Sequence, residues 1–211
     1  MALKTFVKIS NVTNLSDARY CAGMGVDLLG FSMDADSSDY VEPQRFEEIK
    51  SWITGVQIVG ETTQTDPEVI EQLLDTYQPD WLQVDEAALL PYLGTFGKPR
   101  GELRLILRAD LSEMTLDQLD TLFQTGAAGA DYVLLESPRP LHFDPDLTAQ
   151  LQRLTARYPV LLGAGVAADS VNELLSRLPV RGIALRGGAE ERPGNRDFGE
   201  LMDILEAIEE A

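Results

Sequence analysis

The chain has one cysteine, Cys21, and one histidine, His142, among its 211 residues. A lone cysteine closes no intrachain disulfide and builds no cysteine-based metal site. No apolar run approaches the roughly 18 residues that a membrane span requires. The opening Met1-Ala2-Leu3-Lys4-Thr5 leads into a strand pattern without the hydrophobic region of a signal peptide. Positive charge is scarce too, with 17 Lys and Arg against 35 Asp and Glu and a formal net charge of −18. Such a surface repels nucleic acid and anionic membrane, so neither is an expected partner. It also repels a phosphorylated ligand at long range, which must then be met by local cations or by aimed backbone N–H groups. These absences point to a cytoplasmic protein; a monomer or homodimer with a small-molecule partner is the expectation. A hydrophobic fraction of 44% fits a globular domain with a sizeable core.

Short apolar strands alternate with longer amphipathic segments about every 25 residues. The strand pattern covers Phe6–Ile9, Leu28–Phe31, Val56–Val59, Trp81–Val84, Leu103–Leu107, Tyr132–Leu135, Val160–Leu162 and Gly182–Leu185. Helical patterns follow at Ser16–Ala22, Gln44–Trp52, Pro67–Tyr77, Ala87–Leu93, Leu116–Gln124, Pro145–Tyr158, Ser170–Leu178 and Phe198–Ile208. Asp66-Pro67 and Asp144-Pro145 each place a capping acid before a proline at the first helical position. Thr115 with Gln118, and Ser170 with Glu173, have capping-box spacing. Eight such units predict an α/β fold, a (β/α)8 TIM barrel spanning residues 1–211 as a single domain. An open doubly wound sheet is the competing architecture and usually stops at five to seven strands.

Side chains alternate along a strand, so Lys8 shares a face with Ser10, Ile106 with Arg108, Leu134 with Glu136, and Ala184 with Arg186. With Gln83 inward, Asp85 is inward as well, and Val59 groups with Glu61. Barrel sites lie at the C-terminal face, so the expected mouth sets Glu61, Asp85 and Glu136 against Lys8, Arg108 and Arg186. That set is either an anion-binding site or a self-neutralising network of ion pairs, since buried charges are costly unless paired. The first leaves an open cavity and the second closes it. Ion pairing accounts for these acids more simply than a metal, and no metal or cofactor is expected. The turns Gly163-Ala164-Gly165 and Gly187-Gly188 either cradle a phosphate beside Arg186 or serve only as tight strand-to-helix turns.

The segment Phe6-Val7-Lys8-Ile9-Ser10-Asn11-Val12-Thr13 closely resembles the Val-Lys-Ile-Cys-Gly-Leu-Thr opening of phosphoribosylanthranilate isomerase, a tryptophan-biosynthesis enzyme. Asp17-Ala18, Gly25-Val26-Asp27-Leu28-Leu29-Gly30-Phe31, Ser37-Ser38-Asp39-Tyr40-Val41, Asp80-Trp81-Leu82-Gln83, Leu162-Gly163-Ala164-Gly165-Val166 and Pro193-Gly194-Asn195-Arg196-Asp197 are similar to that family's motifs, in order. The resemblance implies an Amadori rearrangement: an acid protonates the furanose oxygen and a base removes the proton from the sugar C2. It implies that Ser10 stands where the family has its base cysteine, and Glu136 where it has its aspartate acid. Asn11 replaces the family's next glycine, Asp39 an arginine thought to face the substrate, Asp85-Glu86 a His-Gly pair, and Arg186-Gly187 a Ser-Ser pair beside the phosphate. The Gly-Gly-Thr-Gly loop gives way to Pro138-Arg139-Pro140-Leu141-His142.

A serine hydroxyl ionises far above a thiol, whose pKa is about 8.5, so Ser10 cannot take over as base by exchange alone. Three functions therefore compete. The first is a phosphoribosylanthranilate isomerase-like protein with impaired or altered catalysis and residual binding of a phosphorylated metabolite. The second is an active isomerase with Glu136 as acid and a substitute base such as Asp85. The third is an isomerase or lyase acting on another phosphorylated metabolite, with Lys8 or Glu136 in a new role. Asp39 and Arg108 are the expected substrate contacts. His142 is expected on the surface, and Cys21 in the core.

Overall fold

A computed structural model describes residues 2–95, 103–139, 143–187, 190–192, 195–196 and 199–210. Eight parallel strands close into a barrel: β1 (Phe6–Ser10), β2 (Leu28–Ser32), β3 (Gln57–Glu61), β4 (Trp81–Val84), β5 (Arg104–Asp110), β6 (Tyr132–Glu136), β7 (Val160–Leu162) and β8 (Gly182–Arg186), with β8 pairing β1. The open-sheet alternative is excluded. Most strands run a residue or more further than the apolar pattern suggests, because their last residues are the polar ones that line the mouth.

Helices cover the outside: α1 (Leu15–Gly23), α2 (Pro43–Lys50), α3 (Pro67–Tyr77), α4 (Leu90–Leu93), α5 (Leu116–Thr121), α6 (Pro145–Thr155), α7 (Val171–Arg177) and α8 (Gly199–Ala207). Asp66 and Asp144 cap α3 and α6 through their carboxylates, and Thr115 with Gln118 forms the full capping box of α5. The matching box at Ser170 does not form: its φ of −122° and ψ of −10° are not extended, and its hydroxyl donates to the Ala167 carbonyl instead. The helix expected over Ala87–Leu93 is a 3-10 turn, Ala87–Leu89, followed by α4. Pro91 has no N–H to continue a hydrogen-bond ladder across that joint. The expected Leu116–Gln124 helix ends as a π turn over Leu122–Gly126. An antiparallel pair, β9 (Glu190–Arg192) with β10 (Asn195–Arg196), precedes α8 and has no counterpart in the sequence reading.

Two apolar layers hold the barrel. Outward strand residues such as Val7, Ile9, Leu82, Leu107 and Val133 pack against helix residues such as Cys21, Phe46, Ile70 and Leu151. Inside the barrel, Leu28, Val59, Trp81, Ile106, Leu134, Leu161 and Ala184 form a separate cluster. Each fully buried large apolar side chain contributes about 1.5–3 kcal/mol. The interior cluster occupies the lower and middle levels, so the polar residues at the strand ends sit above an apolar floor.

Candidate functional site at the barrel mouth

Lys8 is fully buried yet charged, and the structure gives it two partners. Its Nζ makes a very short contact with the Glu61 carboxylate, and donates to Ser10 Oγ at 2.6 Å. The other Glu61 oxygen accepts the Asn11 N–H at 3.0 Å. Asn11 has φ 56°, a left-handed conformation that glycine and asparagine tolerate best, so asparagine fills this turn without glycine's freedom. Gly30 makes the pair sterically feasible, since a Cβ there would fall 2.1 Å from the Glu61 carboxylate.

Ser10 is 3% exposed. Its hydroxyl lies 3.5 Å from Glu136 Oε1, at the outer limit of hydrogen bonding. Gly163 leaves room for Glu136, because a Cβ there would stand 2.9 Å from the Glu136 Cγ. Arg108 bridges the mouth. Its Nε and Nη2 donate to the two Asp85 oxygens at 2.8 and 2.5 Å, and its Nη1 lies 3.7 Å from Glu136. The Asp85 hydrogen bonds push the Arg108 pKa further up; burial opposes the shift, and the charges of Asp85 and Glu136 add to it.

Ser10, Lys8, Glu61 and Glu136 thus form one connected group, and Arg108 ties Asp85 to it. Lys8 lines neither mouth cavity and its ammonium is committed, which leaves no lone pair or approach for a Schiff-base role. Asp85, an expected substitute base, has both oxygens engaged by Arg108. Asp39 stands apart from the ion pairs, on the β2–α2 loop.

The mouth is both paired and open. One cavity of about 200 Å³ is bounded by Arg108, Glu136, Pro138, Gly163 and Arg186. A second of about 440 Å³ lies over β2, β3 and β4, with Asp39, Glu61, Asp85, Arg108 and Arg186 in its wall. Arg186 faces both and has no ion pair among the described residues.

At the expected phosphate turns, the Gly163 N–H donates to the Leu135 carbonyl at 2.8 Å, and the Gly187 N–H to the Ser10 carbonyl at 2.9 Å. Those two donors are already used. The amides of Ala164 and Gly165 have no acceptor among the described residues. Gly165 has φ 67°, and a Cβ there would fall 2.2 Å from the Phe143 ring. Gly188 and His142 lie outside the described residues.

Sequence reading passed over Asp34, Thr62 and Thr63. Asp34 accepts from Thr62 Oγ1 at 2.5 Å, and from the Thr63 N–H and Oγ1 at 2.7 and 2.8 Å. Partners 28 and 29 residues apart leave no local spacing signal. Gln83 is inward as expected, with no role assigned from sequence, and its buried Oε1 has no hydrogen-bond partner among the described residues.

No family model matches the chain. Individual relatives do, from end to end. N-(5'-phosphoribosyl)anthranilate isomerase of Nitrobacter winogradskyi is 25% identical, covering 99% of this chain and 95% of the relative. The enzyme of the same name from Acaryochloris marina is 26% identical, covering 96% and 97%. Among solved structures, the phosphoribosyl anthranilate isomerase of Thermotoga maritima gives a TM-score of 0.77 at 20% identity, covering 97% of this chain and 98% of that one. A 3-hexulose-6-phosphate synthase also shares the fold, with a TM-score of 0.67 at 12% identity, covering 97% and 100%. End to end, this chain is thus similar to curated N-(5'-phosphoribosyl)anthranilate isomerases, and its barrel has the architecture of the solved phosphoribosyl anthranilate isomerases.

Proposed function

We propose that the protein is a phosphoribosylanthranilate isomerase-like barrel in which the Amadori rearrangement is impaired, while binding of a small phosphorylated metabolite is retained. One observation carries this reading: the residue at the position of the base is a buried serine hydroxyl, fixed by Lys8 and facing Glu136. The rearrangement needs a base for the C2 proton, and a positioned base contributes about 10²–10⁴ in rate. The Ser10 hydroxyl holds its proton at neutral pH. An ammonium donating to its oxygen further occupies the lone pair that would accept one.

Glu136 supplies a carboxylate for the acid step, one methylene longer than the family's aspartate. A displacement of about 1 Å can cost about a hundredfold. The competing reading, a fully active isomerase with a substitute base, finds Glu61 bound to Lys8 and Asp85 bound to Arg108.

Phosphate retention rests on Arg186 and on the amides of Ala164 and Gly165, which have no acceptor among the described residues. A structural neighbour, a phosphoribosyl anthranilate isomerase, was solved with reduced 1-(o-carboxyphenylamino)-1-deoxyribulose 5-phosphate, a phosphorylated ligand. The chemistry calls for no cofactor and no metal, and we assign the protein to the cytoplasm.

The test is the fluorescence of phosphoribosylanthranilate mixed with purified protein. Decay no faster than spontaneous hydrolysis is expected, and enzymatic turnover contradicts the proposal. In the same preparation, ribose 5-phosphate should bind by calorimetry, and Arg186→Gln should weaken that binding about tenfold. Equal binding by the variant would remove Arg186 from the phosphate site.

A further inference from the structure

Two carboxylates border the smaller cavity of the mouth, Asp110 and Glu136. Asp110 is taken up by the turn that follows β5, its Oδ1 accepting the Ser112 N–H at 2.8 Å and the Ser112 hydroxyl at 2.7 Å. Glu136 is held more loosely. Its donors among the described residues are the Ser10 hydroxyl at 3.5 Å and Arg108 Nη1 at 3.7 Å, whereas Arg108 grips Asp85 at 2.5 and 2.8 Å. Glu136 is therefore the carboxylate of this cavity with lone pairs to spare for a ligand.

The direction of the hydrogen bonds decides where the protons sit. An ammonium only donates, so Ser10 Oγ accepts from Lys8 at 2.6 Å. The single hydroxyl proton of Ser10 is then left to point at Glu136 Oε1, its one acceptor among the described residues. A guanidinium is likewise a donor only, and Arg108 faces Glu136 Oε2. Both oxygens of Glu136 thus face donors, which suits a carboxylate with no proton of its own. With a thiolate at residue 10 the inventory is reversed, and Glu136 holds the proton that Ser10 holds here.

We propose that Glu136 is a general base, and that the mouth enolises a short, open-chain phosphorylated α-hydroxyketone. Glu136 takes the proton from a carbon beside the carbonyl. The C–H electron pair becomes the C=C bond of an enediolate, and the carbonyl π pair moves onto oxygen. Arg108 Nη1, the terminal guanidinium nitrogen not bonded to Asp85, supplies positive charge for that oxygen on the same cavity wall. Return of a proton from Glu136 to carbon closes the cycle without a co-reactant. Arg186, also on this wall and without an ion pair among the described residues, anchors the phosphate. At about 200 Å³ the cavity is smaller than the roughly 300–1,000 Å³ of drug-sized sites, which suits a chain of a few carbons without an aryl group. Opening a furanose needs an acid, the role that an unprotonated Glu136 gives up, so a ring-closed sugar is excluded as substrate. The inference rests on the reading of the mouth as a site for a phosphorylated metabolite.

Ribulose 5-phosphate and ribose 5-phosphate are matched probes. The first cannot close a furanose because its C5 oxygen is esterified, whereas the second is a furanose in water. Each is incubated with the protein in deuterated water containing a chelator, and deuterium entering the carbons beside the carbonyl is followed by NMR. The wild type is expected to exchange ribulose 5-phosphate at least about tenfold faster than Glu136→Gln purified in the same way, and to leave ribose 5-phosphate at the solvent rate. Glu136→Asp, which keeps the carboxylate, should restore part of the exchange. Arg186→Gln should raise KM for exchange about tenfold with little change in kcat. Equal exchange by the wild type and Glu136→Gln overturns the proposal, as does exchange of ribose 5-phosphate as fast as that of ribulose 5-phosphate. If neither sugar phosphate binds by calorimetry, the phosphorylated-ligand reading fails, and dihydroxyacetone at high concentration reads Glu136 by itself. Exchange of that probe that depends on Glu136 keeps the base, and its absence removes it.

Discussion

At the N-terminal end of the barrel, Trp81 and Tyr132 stack with ring centroids 5.1 Å apart, and Phe6 tilts against Tyr132 at 5.3 Å. Arg104 and Arg181 lie over the Trp81 and Phe6 rings at 5.0 and 5.8 Å, closing that end with cations on aromatic faces. At the C-terminal end, the same strands deliver Lys8 and Ser10 from β1, Gln83 from β4, Arg108 from β5 and Glu136 from β6. The lower end is stable because it keeps water out and needs little orientation. The upper end must pair or hydrogen-bond the charges it buries, and its geometry depends on those contacts. Two or four residues along a strand separate the two regimes.

Substitution at either end should be costly, for different reasons. Trp81→Ala removes a large buried side chain and is expected to cost about 3–5 kcal/mol. Glu61→Leu leaves Lys8 buried and uncompensated, for a similar loss of about 3–5 kcal/mol. The ends part in the second step: Lys8→Met combined with Glu61→Leu should recover most of the loss, because no charge is left to pair. Urea denaturation checks all three variants. A double variant as unstable as Glu61→Leu alone would show that the pair contributes packing rather than charge balance.

The single thiol sharpens the contrast more gently. Cys21 lies in the layer between barrel and helices, where burial, reinforced by Asp17 and opposed by a weaker backbone hydrogen bond, pushes its pKa up to about 12. The unfolded thiol ionises near 8.5, so in the window between the two values the unfolded state loses its proton first. Stability from this group is therefore intact below that window and falls by about 1.4 kcal/mol per pH unit within it. Cys21→Ala should have a shallower alkaline decline in denaturation midpoint than the wild type. Parallel declines would contradict the assignment. The chain has a thiol, but in a place where it serves no proton transfer.

Much of this was legible in the sequence. Period-two alternation placed Val59, Ile106, Leu134 and Ala184 inside the barrel, and carried Lys8, Glu61, Arg108, Glu136 and Arg186 to its mouth. Alternation fixes a face, but it says nothing about partners. It could not show that Asp85 would be taken by Arg108, or that the Gly163 and Gly187 amides would be spent on the Leu135 and Ser10 carbonyls. Nor could it group Asp34 with Thr62 and Thr63, since loops on neighbouring strands meet only once the barrel has closed. Ser170 failed as a cap because spacing alone does not set the backbone angles that capping requires.

The central claim is that the mouth still presents the acid and base positions to one another, and that the missing element is a thiolate at residue 10. Turnover of phosphoribosylanthranilate by Ser10→Cys, measured beside the wild type, tests it most directly. Activity in the variant alone, rising with pH as the thiol ionises, is the predicted result. Activity already present in the wild type, or silence in both, would contradict it: the first by revealing another base, the second by showing that the rest of the mouth has changed its chemistry as well.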